Sequence, residues 1–204
     1  MNYLKRFGQG CTVIPLVILC PLRSAQAETL SPLTARGYTL LPAPQKVTLG
    51  PRDFPLADGW QLVIASGIDA GEVAVESLKE QLAERFHLTL AVNKAVRSQS
   101  GVIRISIAPG SVTIGDATDR NKPGLAEQAY HLSLKSQEIA LTANNAVGLF
   151  YGVQTLAQLV RRQDAQWLLP EAEITDWPNL EMRIIYWDDA HHLEPLSVLK
   201  QAVY

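Results

Sequence analysis

Apolar residues along this chain recur at helical spacing in a first segment. Val75, Leu78, Leu82 and Phe86 follow one another at steps of three and four residues, with charged residues between them. This period predicts an amphipathic helix over about residues 70–86, lying with its apolar stripe on a sheet. The charged residues of the other face are expected to be a solvated surface.

The start of this helix carries a capping signal. Asp69 is followed three residues later by Glu72, the spacing of a capping box. The sequence therefore predicts that Asp69 caps the helix and that the helix begins next to it.

A second helix is predicted over about residues 145–161, with its apolar stripe at Leu149, Val153, Leu156 and Val160. Gly148 and Gly152 lie four apart on one face of this helix. Each glycine costs about 1 kcal/mol of helix stability relative to alanine. We therefore expect the helix to approach a neighbouring strand closely at these two positions, for packing and not for ligand binding.

Short apolar segments between turn residues predict strands. They cover residues 47–49, 60–65, 88–92, 102–107 and 173–175. Strict alternation over residues 130–142 predicts a hairpin. Residues 109–129 show no lasting period and are predicted to be mostly loop.

The apolar pattern changes near the end of the chain. Residues 182–187, MRIIYW, form an almost unbroken apolar run, as expected for a strand buried on both faces of a parallel sheet. A helix start is predicted at Glu194-Pro195. The order of elements predicts a small α+β domain of sheet and helices, followed by the beginning of a parallel α/β domain.

Composition narrows the possible functions. Hydrophobic residues make up 47% of the 204 residues and the formal net charge is −2, so a packed core is expected and a nucleic-acid partner is not. No glycine-rich phosphate loop and no credible Ser-His-Asp spacing occurs, and we expect no cofactor. His191 and His192 are adjacent without a third ligand at metal-binding spacing, so no metal site is expected.

The first 27 residues have the pattern of a secretory signal peptide. Lys5 and Arg6 precede the apolar run of residues 11–22, and small residues end the segment at Ala27. The run is too short to span a membrane. A lipoprotein modified at Cys20 is the alternative, although the residues before Cys20 are not the small ones usual there. The sequence predicts export, to the periplasm or outside the cell.

Several motifs together resemble a known family. They are PAPQ at 42–45, GLFYGVQTLAQL at 148–159, ITDWP at 174–178, and Arg183 with Asp188 five residues apart. In this combination they resemble glycoside hydrolase family 20, the β-N-acetylhexosaminidases. The resemblance covers essentially the whole chain after the leader.

The leader pattern and the resemblance together divide the chain into three parts. Residues 1–27 are the signal peptide, 28–176 the non-catalytic α+β domain, and 177–204 the start of the catalytic (β/α)₈ barrel. The implied fold class is α+β, a small sheet-and-helices domain followed by the truncated start of a barrel. Such a barrel needs roughly 200 or more residues, so most of it is expected to lie outside this sequence.

The resemblance also implies a reaction. Family members remove terminal β-linked N-acetylhexosamine, and the substrate's own 2-acetamido carbonyl attacks the anomeric carbon. An Asp-Glu pair on a later barrel strand serves this reaction, so no catalytic residue is expected in this chain, which alone is expected to be inactive. The implied partners are an N-acetylhexosamine-containing glycan and the remainder of the barrel.

The expected substrate-binding residues lie at the end of the chain. The resemblance implies that Arg183 contacts the terminal sugar, that Asp188 holds Arg183 or shapes the pocket, and that His192 matches a histidine of the family pattern. Ile184 and His191 depart from that pattern, where glycine and arginine are usual.

Two alternatives to a hydrolase stay open. The departures near Arg183 favour a family-derived module that binds glycan or another domain without hydrolysis. The other alternative is that the chain is a truncated gene product, in which case residues 180–204 would expose apolar surface.

Overall fold

The computed structural model describes residues 31–93, 101–184 and 195–203. The elements follow in the order α1 (Pro32–Ala35), β1 (Lys46–Leu56), β2 (Gln61–Ile64), α2 (Val73–Phe86), β3 (Ala91–Asn93), β4 (Val102–Ile107), α3 (Lys122–Glu127), β5 (Tyr130–Lys135), β6 (Glu138–Ala143), α4 (Ala146–Leu159), β7 (Arg161–Gln163), β8 (Gln166–Asp176) and α5 (Leu196–Val203).

Eight strands form one mixed sheet. Their order is β1-β8-β5-β6-β4-β2-β3, and β7 pairs with β8 beside this path. The strands β3, β2, β4 and β6 run parallel, whereas β5, β8 and β1 pair antiparallel. The first and last strands of the sheet segment are therefore neighbours, with Lys46 of β1 opposite Thr175 of β8. The sheet with helices confirms the predicted α+β class.

The core lies between this sheet and the helices α2 and α4. The predicted apolar stripes of both helices are buried, and so are the alternate residues Tyr130, Leu132 and Leu134 of β5. The antiparallel pairing of β5 with β6 confirms the hairpin predicted over residues 130–142. The other strand positions of β5 carry polar side chains on the opposite face of the sheet.

The two glycines of α4 lie at points of close approach. A Cβ built at Gly148 would lie 2.6 Å from the carbonyl oxygen of Ala129, just before β5. A Cβ at Gly152 would lie 2.3 Å from the side chain of Leu141 in β6. The predicted close packing is confirmed, with backbone as the neighbour at Gly148 and a side chain at Gly152.

The predicted cap of α2 is wrong. The helix begins at Val73, with Glu72 as its N-cap, and no side chain caps it. The Asp69 carboxylate instead accepts a hydrogen bond from the backbone N–H of Gly71 at 2.7 Å. Aspartate often makes such a turn with the backbone two residues on, and this competes with its capping role.

The strand predicted at residues 88–92 is shorter, and covers only Ala91–Asn93. His87 ends α2 in a left-handed conformation, and the N–H of Leu88 donates to the carbonyl of Leu82. The backbone of Leu88 therefore closes the helix end, as in a Schellman motif, and is unavailable to the sheet.

Two other elements differ from their predictions. Residues 109–129 contain the helix α3, whose N-cap Asn121 accepts a hydrogen bond from the N–H of Gly124. The strand predicted at residues 173–175 is the long strand β8, which includes Pro170. Pro170 pairs with Asp53 at the irregularity of β1, a position where a sheet tolerates proline.

The predicted strand over residues 182–187 is only partly described. Met182 and Ile184 are in irregular backbone and are 71% and 79% exposed, so the predicted burial does not hold for them. Residues 185–187 and the predicted signal peptide lie outside the described residues. The predicted helix start near Pro195 is confirmed by α5. Within the described part of the chain, no helix is long and apolar enough to cross a membrane.

Candidate functional site

A cleft of about 310 Å³ opens where the chain leaves the sheet at the end of β8. We name it the exit cleft. Its walls come from the loop before β1, from one face of α4, and from the segment that follows β8. The lining includes Leu41, Gln45, Gln128, Tyr130, Tyr151, Gln154, Thr155, Gln158, Asp176, Trp177, Leu180, Glu181 and Arg183.

Asp176, the last residue of β8, joins three elements at the floor of this cleft. Its Oδ1 accepts a hydrogen bond from the backbone N–H of Gln45 at 3.0 Å, and its Oδ2 accepts one from the hydroxyl of Tyr130 at 3.1 Å. The Tyr130 hydroxyl also lies 2.5 Å from the hydroxyl of Thr155 in α4. Both carboxylate oxygens accept hydrogen bonds from within the domain, so the carboxylate fixes the position at which the chain leaves β8.

Burial sets the electrostatics of this group of residues. It raises the pKa of the Asp176 carboxyl, against the lowering effect of the Gln45 and Tyr130 hydrogen bonds and of the positive charge of Arg183. Burial also raises the pKa of the Tyr130 phenol, and the negative charge of Asp176 raises it further. Tyr130 is therefore a neutral hydrogen-bond donor at neutral pH.

Trp177 fixes the chain directly after Asp176. Its ring is buried in a second small core with Val112 and Ala129, and its Nε1–H donates to the carbonyl of Asp116 at 3.0 Å. The ammonium of Lys46 lies 5.2 Å from the centre of the ring. The role of Trp177 is therefore packing.

The segment beyond Trp177 is tied to the loop before α3. The N–H of Asp119 donates to the carbonyl of Asn179, and the Asp119 carboxylate accepts the N–H of Glu181. Hydrogen bonds from the backbone N–H groups of Asn121 and Glu181 lower the pKa of Asp119. The Asn121 amide in turn donates to the Glu181 carboxylate at 2.7 Å.

Arg183 lies exposed on the wall of the exit cleft. Its charge acts on Asp176, and it is the one predicted substrate-binding residue whose position is described. Asp188 and His192 lie outside the described residues, as does His191. The structure therefore brings Arg183 and Asp176 to one cleft and leaves the other two positions as predictions.

The described residues contain no group of three or more His, Cys, Asp or Glu side chains placed to hold a metal ion. His131 lies between Thr175 and Glu173 on the polar face of the sheet, with its ring nitrogens at 3.0 and 3.1 Å from their oxygens. These are cross-strand contacts on an open face.

Sequence reasoning missed the polar floor of the exit cleft. The alternation over residues 130–142 predicts only that Tyr130 faces the core, and the motif at 174–178 assigns no contact to Asp176. The sequence signal that could have found it is a tyrosine at the start of a buried strand, because the buried hydroxyl needs a hydrogen-bond partner.

Comparison with known proteins identifies what this architecture resembles. Residues 37–177 match the family model described as glycosyl hydrolase family 20, domain 2. A β-hexosaminidase of Vibrio furnissii is 27% identical over 97% of this chain and 29% of its own length. An N,N'-diacetylchitobiase of Vibrio harveyi is 32% identical over 76% of this chain and 15% of its own length. The chain thus spans less than a third of these relatives.

Solved structures share the fold. A family 20 exo-β-N-acetylglucosaminidase of Vibrio harveyi, in complex with N-acetylglucosamine, superposes with a TM-score of 0.62 at 21% identity, covering 80% of this chain and 23% of that one. Another family 20 β-N-acetylglucosaminidase superposes with a TM-score of 0.55 at 25% identity, covering 79% of this chain and 27% of that one. Because the family model covers more than half of the sequence, from residue 37 to residue 177, this chain belongs to glycoside hydrolase family 20, a family of β-N-acetylhexosaminidases, and carries that family's domain 2.

Proposed function

We propose that this chain is the N-terminal part of an exported glycoside hydrolase that removes terminal β-linked N-acetylhexosamine from glycans. The observation that carries the proposal is the family match over residues 37–177, together with relatives named β-hexosaminidase and chitobiase. In this proposal residues 1–27 are the signal peptide, 28–176 the non-catalytic domain and 177–204 the beginning of the barrel.

The reaction proposed for the whole protein is substrate-assisted and retaining. The 2-acetamido carbonyl oxygen attacks the anomeric carbon while a glutamic acid protonates the leaving oxygen, and an aspartate orients the acetamido group. Water then opens the resulting cyclic intermediate. The Asp-Glu pair is expected beyond Tyr204, so this chain alone supplies no catalytic residue.

Within this chain, Arg183 is proposed to bind the terminal sugar. A guanidinium makes two parallel hydrogen bonds to adjacent oxygens, which suits a pair of sugar hydroxyls. Its exposure on the wall of the exit cleft leaves the guanidinium accessible. Asp188 and His192 are proposed to shape the same pocket.

The test is hydrolysis of a chromogenic aryl N-acetyl-β-glucosaminide. We expect no activity from this chain and activity from a form continued through the downstream reading frame. In the longer form Arg183→Ala should lower kcat/KM by roughly 10- to 100-fold, since hydrogen bonds to a charged group contribute about 1.5–3 kcal/mol each. Arg52→Ala is the matched control, because Arg52 is exposed and pairs with Glu171 far along β8.

If a folded longer form does not hydrolyse the substrate, the result favours the second candidate, a glycan-binding or domain-interaction module that no longer hydrolyses. The departures from the family pattern at Ile184 and His191 favour this candidate. Activity that is insensitive to Arg183→Ala would remove Arg183 from the site while leaving the proposed reaction intact.

A further inference from the structure

The loop before α3 contacts every second residue of the segment that leaves β8. The indole Nε1–H of Trp177 donates to a carbonyl of this loop at 3.0 Å. The backbone N–H of Asp119 donates to the carbonyl of Asn179 at 2.9 Å, and the Asp119 Oδ2 accepts the N–H of Glu181 at 3.1 Å. Three alternate residues of the segment are therefore fixed, and Arg183 is the next residue in that alternation.

Glu181 is held both at its backbone and at its side chain. The Asn121 amide donates to its carboxylate at 2.7 Å, and the Gln128 amide donates to its carbonyl oxygen at 3.4 Å. A Cβ built at Gly124 would lie 2.9 Å from its Oε1, so α3 packs directly against this side chain. Asp119 ties the loop to the segment, because its carboxylate accepts the N–H of Asn121 at 3.0 Å as well as that of Glu181.

Arg183 has no comparable anchor of its own. Among the residues that the structure describes, its guanidinium makes no hydrogen bond and no ion pair, and its charge acts on Asp176 of the same cleft. Two residues span at most about 7 Å of chain, so the position of Arg183 depends on the fixed backbone at Glu181. The hydrogen bonds that lower the pKa of Asp119 also keep this carboxylate ionised, and therefore a strong acceptor, at neutral pH.

We propose that Asp119 is a positioning residue for Arg183: its carboxylate fixes Glu181 and thereby places the guanidinium where the terminal sugar binds. The inference rests on the proposed function, which gives Arg183 this role. Hydrogen bonds from a guanidinium to sugar hydroxyls depend on distance and angle. A contact that holds the backbone two residues away therefore affects sugar binding without touching the sugar. The residues beyond Tyr204 are not altered by its loss, so the effect should fall on KM.

Amide hydrogen exchange of this chain tests the contact itself. Asp119→Ala should speed exchange of the Glu181 N–H by about tenfold or more, because this amide loses its acceptor. Asp69→Ala is the matched control, since Asp69 also accepts a backbone N–H, that of Gly71 at 2.7 Å, and does not line the exit cleft. It should leave exchange at Glu181 unchanged. Equal exchange at Glu181 in the wild type and in Asp119→Ala would overturn the inference.

Hydrolysis of the aryl N-acetyl-β-glucosaminide by the form continued past Tyr204 tests the consequence. Asp119→Ala should raise KM by roughly 5- to 50-fold while kcat stays within about twofold, since misplacement of a binding group by about 1 Å can cost up to 100-fold. Asp69→Ala should leave both constants unchanged. If Asp119→Ala does not fold, Asp119→Asn replaces it. Asn keeps one acceptor oxygen and should raise KM by an intermediate amount.

A double substitution separates positioning from general stability. In the Arg183→Ala background, Asp119→Ala should change kcat/KM by less than about twofold, because residues that act through one another are not additive. A residue that only stabilises the fold would lower kcat/KM equally in both backgrounds. Additive effects of the two substitutions would therefore overturn the inference.

The outcomes distinguish this inference from the proposed function. Hydrolysis whose KM is insensitive to Asp119→Ala overturns positioning and leaves the hydrolase intact. If the folded longer form does not hydrolyse the substrate, calorimetric binding of N-acetylglucosamine replaces kinetics. A Kd weakened by Asp119→Ala then supports positioning and contradicts the hydrolase. Absence of both hydrolysis and binding overturns both, because Arg183 then contacts no sugar.

Discussion

The hydroxyl of Tyr130 donates a hydrogen bond to Oδ2 of Asp176 at 3.1 Å, and so joins the first residue of β5 to the last residue of β8. The two residues are also direct partners in the sheet register. Because Asp176 binds the N–H of Gln45 as well, one carboxylate fixes the entry to β1 and the exit of β8 together.

Tyr130→Phe should therefore destabilise the domain. It removes a donor from a half-buried carboxylate and a partner from the Thr155 hydroxyl, at a cost of about 1–3 kcal/mol in the free energy of unfolding. Urea unfolding of the purified chain measures this cost.

Tyr151→Phe is the matched control, since Tyr151 is 41% exposed at the rim of the same cleft. A surface substitution of this kind should stay within about 0.5 kcal/mol. Equal effects of the two substitutions would contradict a structural role for the Tyr130 hydroxyl.

The raised pKa of Asp176 makes the stability of the domain depend on pH. A carboxyl whose pKa is raised on folding binds its proton more tightly in the native state. Its contribution is therefore largest below the ordinary carboxyl pKa and declines as the pH rises through the interval up to the raised value. Asp176→Asn should remove this decline when urea midpoints are compared from about pH 4 to pH 7.

Asp119 provides a control of opposite sign. Backbone hydrogen bonds lower its pKa, so its contribution is present above the ordinary carboxyl pKa and is lost as the pH falls through the lowered value. Asp119→Asn should flatten the acid side of the same curve. If both substitutions changed the same side, the assignment of the pKa directions would be wrong.

Gly148→Ala should destabilise the domain although alanine favours a helix. The added Cβ would lie 2.6 Å from the carbonyl oxygen of Ala129, so α4 must move away from the start of β5. Overpacking of this kind costs about 1–3 kcal/mol. Gly71→Ala is the control, with its nearest neighbouring atom at 3.4 Å, and it should leave the thermal midpoint nearly unchanged. A higher midpoint for Gly148→Ala would show that helix propensity outweighs the clash.

Asn144 and Asn145 are adjacent asparagines for which the same substitution should have different effects. Buried Asn144 donates two hydrogen bonds, to the carbonyls of Val112 and Ala126, each at 2.8 Å. Asn144→Asp places carboxylate oxygens against these carbonyls and should cost about 2–4 kcal/mol.

Exposed Asn145 is the N-cap of α4 and only accepts, from the N–H of Ala146 at 2.7 Å. Asn145→Asp keeps this acceptor and places a negative charge at the helix N-terminus, so it should be neutral or slightly stabilising. Circular dichroism melts of both variants test the contrast. A similar loss of stability in both variants would mean that the fold does not depend on the buried amide of Asn144.

Local periodicity was sufficient to predict much of this fold from sequence. The stripe that ends at Phe86 and the alternation from Tyr130 each depend on burial of one face, and both were confirmed. The predictions failed where a backbone group had two possible partners. Asp69 turned to Gly71 instead of capping α2, and Leu88 closed the helix end instead of joining the sheet.

The site was harder to predict than the fold. Arg183 was singled out by resemblance to a family pattern, whereas the exit cleft arises from residues that are distant in sequence. Gln45, Tyr130 and Asp176 meet only because β1 and β5 lie on either side of β8. Sheet order is not encoded in the period of any single segment, so this meeting could not be found by scanning along the chain.

The pairing of β1 with β8 places Lys46 directly opposite Thr175. The two ends of the sheet segment therefore emerge side by side, as in domains that tolerate circular permutation or insertion into a host loop. A host protein that offered two adjacent attachment points could accept this unit without stretching its own backbone, provided that the segment before β1, which adds Leu33, Tyr38 and Leu40 to the core, came with it. The chain therefore enters and leaves the sheet at two neighbouring positions, where β1 begins and β8 ends.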